Sequence, residues 1–166
     1  MIVIVMGVVG VGKTTIGTLL ASQLGWEFTD ADDFHPQSNV DKIHHGIPLT
    51  DEDRQPWLDR LREAITGWIS ANRSVVLACS ALKRAYRAKL SVGPQVRFVY
   101  LKGSAAQIAD RLRLRHGHFA SESILASQLA DLEEPDAAIT VDINDSPDQI
   151  AAQIRSALAT RIKSSP

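Results

Sequence analysis

The sequence predicts an α/β protein in which a parallel sheet is wound between helices, and three features predict it. The first is a continuous β-branched run, Ile2-Val-Ile-Val-Met6, of the kind that fills a strand buried on both faces. The second is the alternation of further short apolar runs with amphipathic stretches along the rest of the chain. The third is Gly7-Val-Val-Gly-Val-Gly-Lys-Thr14, which joins the first strand to the first amphipathic stretch and fits G-x-x-x-x-G-K-[ST], the Walker A pattern of a P-loop.

That loop has a chemical logic. To wrap a polyphosphate it must aim several backbone N–H groups inward, and glycines at 7, 10 and 12 remove Cβ atoms that would clash or forbid the backbone angles. The helix that starts near Lys13 adds the partial positive charge of its N-terminus. Lys13 can reach the β- and γ-phosphates of a nucleotide, and the Thr14 hydroxyl can ligate Mg2+. The whole run Gly7, Val8, Val9, Gly10, Val11, Gly12, Lys13, Thr14 and Thr15 is therefore expected to line a nucleotide. A glycine-rich turn with a surface lysine is the competing possibility, and it leaves the four specified positions and their flanks unexplained.

Taken in order, Lys13 to Leu24 reads as a helix with Ile16, Leu19, Leu20 and Leu24 at helical spacing and Gly25 placed to end it. Trp26 to Thr29 is a second strand, so the chain opens with a βαβ unit. Asp30-Ala-Asp-Asp-Phe-His-Pro36 follows, where a strand should end. Asp30 and Asp32 could face phosphates held by the loop, because ligands of open α/β sheets bind beyond the carboxyl ends of strands; a solvated turn is the other possibility. Ser38 to His45 is a short helix carrying Asn39, Lys42 and two histidines with no partners at metal spacing.

Leu49 to Trp57 looks like a helix start, with Thr50 or Asp51 as N-cap, Pro56 in the first turn, and an apolar stripe of Trp57, Leu58, Leu61, Ile65 and Trp68. Arg54 is either a fork for a carboxylate or one half of an exposed ion pair. Ser74 to Cys79 is a third strand, with Cys79 as a small buried hydrophobe. Ser80 is a plausible N-cap for the next helix, which would place Lys83 one turn inside it and aimed at the substrate cleft, with Arg84, Arg87 and Lys89 on solvated faces. Gln95 to Leu101 is a fourth strand and Ser104 to Arg115 an amphipathic helix. Arg111-Leu-Arg-Leu-Arg-His-Gly-His-Phe119 concentrates cations, either as a flap over the nucleotide, with Arg111 and Arg115 the best candidates, or as a helix end that complements its dipole. A helix from about Glu122 to Leu132, a fifth strand from Ala138 to Ile143 and a last helix from about Pro147 to Ile162 complete the chain; only the tail, Lys163 to Pro166, looks frayed.

The totals bound what such a chain can do. Its 166 residues suit one domain, and 45% hydrophobic with 22% charged content is ordinary for a globular protein. A net charge of -1 points to neither nucleic acid nor an anionic membrane as partner. The single cysteine excludes an internal disulfide framework and a multi-cysteine metal site. With no basic stretch before the short apolar run at Met1, the expected location is cytoplasmic.

Together, the P-loop, Asp30-x-Asp32-x-x-His35-Pro36, Asn39 with Lys42, Asp51-Glu-Asp-Arg54-x-Pro-Trp57, Cys79-Ser-Ala-Leu-Lys83, Tyr100-Leu-Lys-Gly103 and Gly117-His-Phe119 resemble the gluconokinase family over nearly the whole chain. The resemblance implies a P-loop kinase fold: a three-layer sandwich around a five-stranded parallel sheet ordered 2-3-1-4-5, helices on both faces, and a lid. Residues 1–166 would form one domain, with the phosphate loop at 7–14, a substrate-binding region at about 30–60 and the lid at about 113–122. It implies ATP-dependent phosphorylation of D-gluconate at its terminal hydroxyl, and a homodimer. On this basis Thr14 and Asp30 serve Mg2+, and Lys13, Asp32, Lys83, Arg111 and Arg115 serve the transfer. Asp32, His35, Lys42, Arg54 and Lys83 meet gluconate, and Asn144 to Pro147 lies near the adenine. The family often has Ser at position 9 or 11 where this chain has Val, and neither side chain is needed for backbone cradling. A kinase of another small hydroxy acid, such as shikimate, and a nucleotide-binding module without turnover are the alternatives.

Overall fold

The computed structural model describes residues 1–116 and 120–163, with the side chains of 115–123 and 161–166 outside that description. In chain order the elements are β1 (Ile2–Met6), α1 (Lys13–Leu24), β2 (Glu27–Asp30), a 3-10 turn at Ala31–Phe34, α2 (Gln37–His44), α3 (Asp51–Ser70) and β3 (Val75–Ala78). They continue with α4 (Arg84–Leu90), β4 (Val96–Lys102), α5 (Ala105–His116), α6 (Ala120–Asp131), β5 (Ile139–Asp142) and α7 (Pro147–Lys163). The five strands lie in the order β2-β3-β1-β4-β5, as expected, and every pairing is parallel.

Alternation along the central strand divides the core into two layers. Val3 and Val5 of β1 face a cluster with Ile16 and Leu20 of α1, Ile108 and Leu112 of α5, and Ile150 and Ile154 of α7. Ile2, Ile4 and Met6 face the other way, onto Trp57, Leu58, Leu61 and Ile65 of α3 and onto Tyr86 and Leu90 of α4. Each fully buried aliphatic side chain contributes about 1.5–3 kcal/mol, so the continuous apolar run of β1 has no polar face because it has no exposed face.

Register then aligns the site. Met6 pairs with Tyr100, and Asp30 at the end of β2 pairs with Ala78 at the end of β3. The P-loop, Asp30 and Cys79 therefore emerge at one edge of the sheet, the carboxyl edge where α/β proteins bind ligands.

Local chemistry matches most expected boundaries and corrects three. Gly25 ends α1 in the left-handed region, φ 67°, and its N–H meets the carbonyls of Ala21 and Ser22. Thr50 is the cap of α3, in a capping box with Asp53. Pro56, however, lies inside α3 and not in its first turn. It withholds the hydrogen bond that the Glu52 carbonyl would accept, on a side of the helix where both residues are exposed to water.

Ser80 does not cap α4; Lys83 occupies the N-cap position, and Ala81, buried with φ 45°, turns the chain between them. Lys83 is thus at the helix threshold and not one turn inside. The late start also rotates Arg87 inward: it is buried, and its Nη1 donates to the carbonyls of Ala81 and Leu82 at 2.9 and 2.7 Å. Sequence placed Arg87 on a solvated face; the structure uses it to tie down the loop that carries Lys83.

Candidate active site

The donor side is made of backbone. Gly10 and Gly12 take φ of 84° and 96°, values that L side chains rarely adopt. A Cβ on Gly10 would also lie 2.8 Å from Cγ of Leu112, so α5 packs against the loop as only glycine permits. Lys13, half-buried at the start of α1, donates from Nζ to the Val8 carbonyl at 3.0 Å, curling over the loop. Burial pulls its ammonium below the ordinary lysine range, and the nearby Asp32 carboxylate opposes that shift.

A cleft of about 270 Å³ opens over this loop, lined among others by Gly12, Lys13, Thr14, Asp30, Asp32, Cys79 and Gln128. A second of about 300 Å³ shares Gly10, Gly12 and Thr15 with it and runs on to Arg111, Leu114, Asp145 and Pro147. Arg111 Nη2 donates to the Ile143 carbonyl, which fixes the guanidinium on the wall of this second cleft. The two clefts meet at the loop. Burial pushes the Cys79 thiol up to about 12, so the lone cysteine is a neutral wall residue.

Asp30 and Asp32 are held differently. The Asp30 carboxylate accepts the Thr14 hydroxyl at 3.2 Å with one oxygen and the Asp32 backbone N–H at 3.0 Å with the other. Asp32 is free to act: its side chain is 86% accessible within the cleft. The surrounding wall nevertheless thins its water, and this desolvation, followed by the charge of Asp30, holds its carboxyl above the ordinary carboxylate range; Lys13 pulls the other way.

His35 and Lys42 are occupied. The His35 imidazole stacks on Trp57 with ring centres 4.7 Å apart, meets the Asn39 amide through Nδ1 at 3.3 Å, and places Nε2 3.9 Å from Asp32. Burial first, and the Arg54 charge second, hold it below the usual histidine range, so it is neutral near pH 7. Lys42 Nζ grips both oxygens of Asp53 at 2.7 and 2.8 Å, and Asn39 donates to the Asp53 carbonyl at 2.8 Å. These two α2 residues tie their helix to the start of α3.

Arg54 and Lys83 converge on Tyr86, each cation 5.8 Å from the ring centre. Arg54 Nη1 donates to the Tyr86 hydroxyl at 3.2 Å, that hydroxyl donates to Asp51, and Lys83 Nζ donates to both Asp51 oxygens at 2.9 and 3.0 Å. These bonds, with that from Tyr86 first, hold Asp51 below the ordinary carboxylate range. Asp131 of α6 approaches both cations as well. Gln128, one turn earlier in α6, accepts the Val9 N–H of the P-loop at 2.7 Å. Residues three apart are neighbours on a helix, so the cation cluster and the loop lie about one helical turn apart.

Thus the structure brings together Lys13, Thr14, Asp30 and Asp32 on one side, and Arg54 with Lys83 on the other. Arg111 lies in the second cleft. The Arg115 side chain and residues 117–119, at the centre of the expected lid, fall outside the described residues. Sequence alone missed Asp51 as a partner of Lys83, and missed Tyr86, Gln128 and Asp131 altogether. The Asp51-x-x-Arg54 spacing was a visible signal for the first; nothing local marked the other three. No described helix is long and apolar enough to cross a membrane.

Residues 9–159 match the shikimate kinase family. The chain is similar to the gluconokinase of Gluconobacter oxydans, 48% identical over 80% of this chain and 75% of that protein. It is also similar to the thermosensitive gluconokinase of Escherichia coli strain K12, 42% identical over 93% of this chain and 86% of that protein. Among solved structures, a gluconokinase from Sinorhizobium meliloti 1021 superposes with a TM-score of 0.85 at 37% identity, covering 98% of this chain and 97% of that one. A P-loop at the carboxyl edge of a 2-3-1-4-5 sheet, with likeness extending along nearly the whole chain, makes this a phosphotransferase that takes ATP as co-substrate, and the chain belongs to the gluconokinase family.

Proposed function

We propose that the protein transfers the γ-phosphoryl group of ATP to the terminal hydroxyl of D-gluconate, giving 6-phospho-D-gluconate and ADP. The observation that carries this is the placement of Asp32: it opens into the cleft beside Lys13, while His35, packed next to it, also feels the charge of Arg54. In this proposal Asp32 has Lys13 beside it in the cleft, and His35 stands between it and the charge of Arg54. The likeness to gluconokinases at 42–48% identity favours gluconate over shikimate as the acid.

In this proposal the loop amides and Lys13 hold the β- and γ-phosphates. Arg54 and Lys83 take the gluconate carboxylate and polyol and point the terminal hydroxyl at the donor. Asp32 orients that hydroxyl and accepts its proton as the new O–P bond forms and the bond from the γ-phosphorus to the bridging oxygen of ADP breaks. Arg111 belongs to the nucleotide, on the wall of the second cleft with Asp145 and Pro147; a role for Arg115 in the transfer rests on family resemblance alone. His35 and Lys42 act as supports, one beneath Asp32 and one at the start of α3.

Thr14 and Asp30 offer adjoining hard oxygens at the head of α1, a donor set that fits Mg2+ brought in by the nucleotide, with Thr14 on the ion and Asp30 on a bound water. When bound, the ion would neutralise charge on the phosphate oxygens. A cytoplasmic homodimer is part of the proposal on family resemblance, and light scattering checks the dimer.

An ADP-release assay across a panel of sugar acids and shikimate tests the proposal. Gluconate-dependent release is expected. Release with a different acid only, or none with any, would overturn it.

A further inference from the structure

The two acceptor cations do not stand open. Lys83 Nζ has both Asp51 oxygens at 2.9 and 3.0 Å and Asp131 Oδ1 at 3.8 Å; Arg54 Nη1 has Asp51 Oδ1 at 3.7 Å and Asp131 Oδ2 at 4.0 Å. Two positive and two negative groups form a neutral quartet. A third carboxylate entering it would leave one anion without a cation in a partly desolvated place, which is costly. One resident acid must therefore yield.

The two acids are not equivalent. Asp51 is the first residue of α3, next to the capping Thr50, and it accepts hydrogen bonds from both Lys83 and Tyr86. Asp131 is the last residue of α6 and meets the cations only at 3.8 and 4.0 Å, beyond hydrogen-bond length. Its hold is the weaker one. The same helix face carries Gln128, whose Oε1 accepts the Val9 N–H at 2.7 Å. That amide belongs to the loop that cradles phosphate. So α6 presents an oxygen in place of a phosphate oxygen at one end of its last turn, and a carboxylate in place of a substrate carboxylate at the other.

We propose that Gln128 and Asp131 are positioning residues that stand in for the two substrates' anionic oxygens, and that each substrate must displace its stand-in. Asp131 thereby sets the affinity for the acid acceptor, and Gln128 that for the nucleotide. Because both residues sit on one helical turn, displacing either loosens the hold of the other, and each substrate favours the binding of its partner by the same factor. This rests on the proposed roles of Arg54 and Lys83.

The test compares wild type, Asp131→Asn and Gln128→Met, each checked for an unchanged thermal melt. In Asp131→Asn the acceptor KM should fall about fivefold, with the ATP KM read at saturating acceptor, where Asp131 is already displaced, little changed, since an internal competitor taxes affinity by the fraction of time it occupies the site. An acceptor KM that rises or stays level would overturn the role of Asp131. In Gln128→Met, a non-hydrolysable ATP analogue should bind a few-fold tighter by calorimetry without any acceptor present; weaker or equal binding would overturn that of Gln128. Saturating acceptor should tighten analogue binding in wild type and do so less in both variants, and independent binding in wild type would overturn the coupling. The measurements use whichever acid supports ADP release, and the analogue titration needs none. Failure of gluconate as substrate is therefore told apart from failure of the stand-ins.

Discussion

The loop proposed for the donor and the side-chain cluster proposed for the acceptor are built from different materials. The donor half is backbone: glycines with positive φ, amides at the head of α1, and a lysine folded back on its own loop. Its phosphate cradle lies within eight consecutive residues, Gly7 to Thr14. The acceptor half is side chain: Arg54 from α3, Lys83 and Tyr86 from α4 and its threshold, and Asp131 from α6, distant in sequence and balanced charge against charge. A backbone cradle reads phosphate and not the acceptor. A side-chain cluster can be retuned one residue at a time, and the proposal puts substrate choice there.

The contrast can be broken at graded cost. Lys13→Ala removes a phosphate-directed charge from the rigid half, and turnover should fall about 10²–10³-fold or more by single-turnover kinetics. Near-native turnover would mean that the loop does not serve the reacting phosphate. At the junction of the halves, Asp32→Asn should lower turnover by about 10²–10⁴-fold while leaving the affinity for an ATP analogue intact.

Asp32 also carries a pH signature with a definite sign. Its carboxyl is raised in the folded protein, so the acid limb of kcat/KM should lie above 3.8, the ordinary Asp value, and activity should fall as pH drops through it. The same shift means that the folded state holds this proton more tightly than the unfolded chain does, so ionised Asp32 costs stability at neutral pH. Asp32→Asn should therefore melt no lower than wild type at pH 7, and a clearly lower Tm would assign Asp32 a structural role.

On the acceptor side, Arg54→Ala should raise the gluconate KM about 10–100-fold, the worth of a hydrogen bond to a charged group, with the ATP KM changing far less. The reverse pattern would move Arg54 to the nucleotide. Tyr86→Phe keeps the ring beneath both cations and removes only the hydroxyl between Arg54 and Asp51, so the gluconate KM should change by several-fold, about 0.5–1.5 kcal/mol. The smallest effect belongs to neither half: Thr50→Ala breaks the capping box of α3 and should cost about 1 kcal/mol in urea unfolding, with kcat close to wild type.

The same division explains what could be read early. The P-loop was legible because its chemistry is local, with four specified positions between a strand and a helix. Asp30 and Asp32 were legible by position, since a strand's carboxyl end is where ligands sit. Lys83 was expected one turn inside a helix; it stands instead at the N-cap of α4, behind the left-handed turn at Ala81 and a loop tied by the buried Arg87, with its Nζ on Asp51. Helical spacing cannot reveal an inward arginine when the helix starts three residues late. Gln128 and Asp131 sit in a helical stretch where nothing local sets them apart from solvated polar residues.

By itself, then, the sequence determined the parallel α/β architecture, because apolar periodicity and glycine-bearing turns act over a few residues, and its motifs carried the likeness to the family. Only the tertiary structure decided which charges neutralise one another. An ion pair or a hydrogen bond depends on distances of a few ångströms, and the partners of Arg54, Lys83 and Val9 come from segments up to 119 positions away.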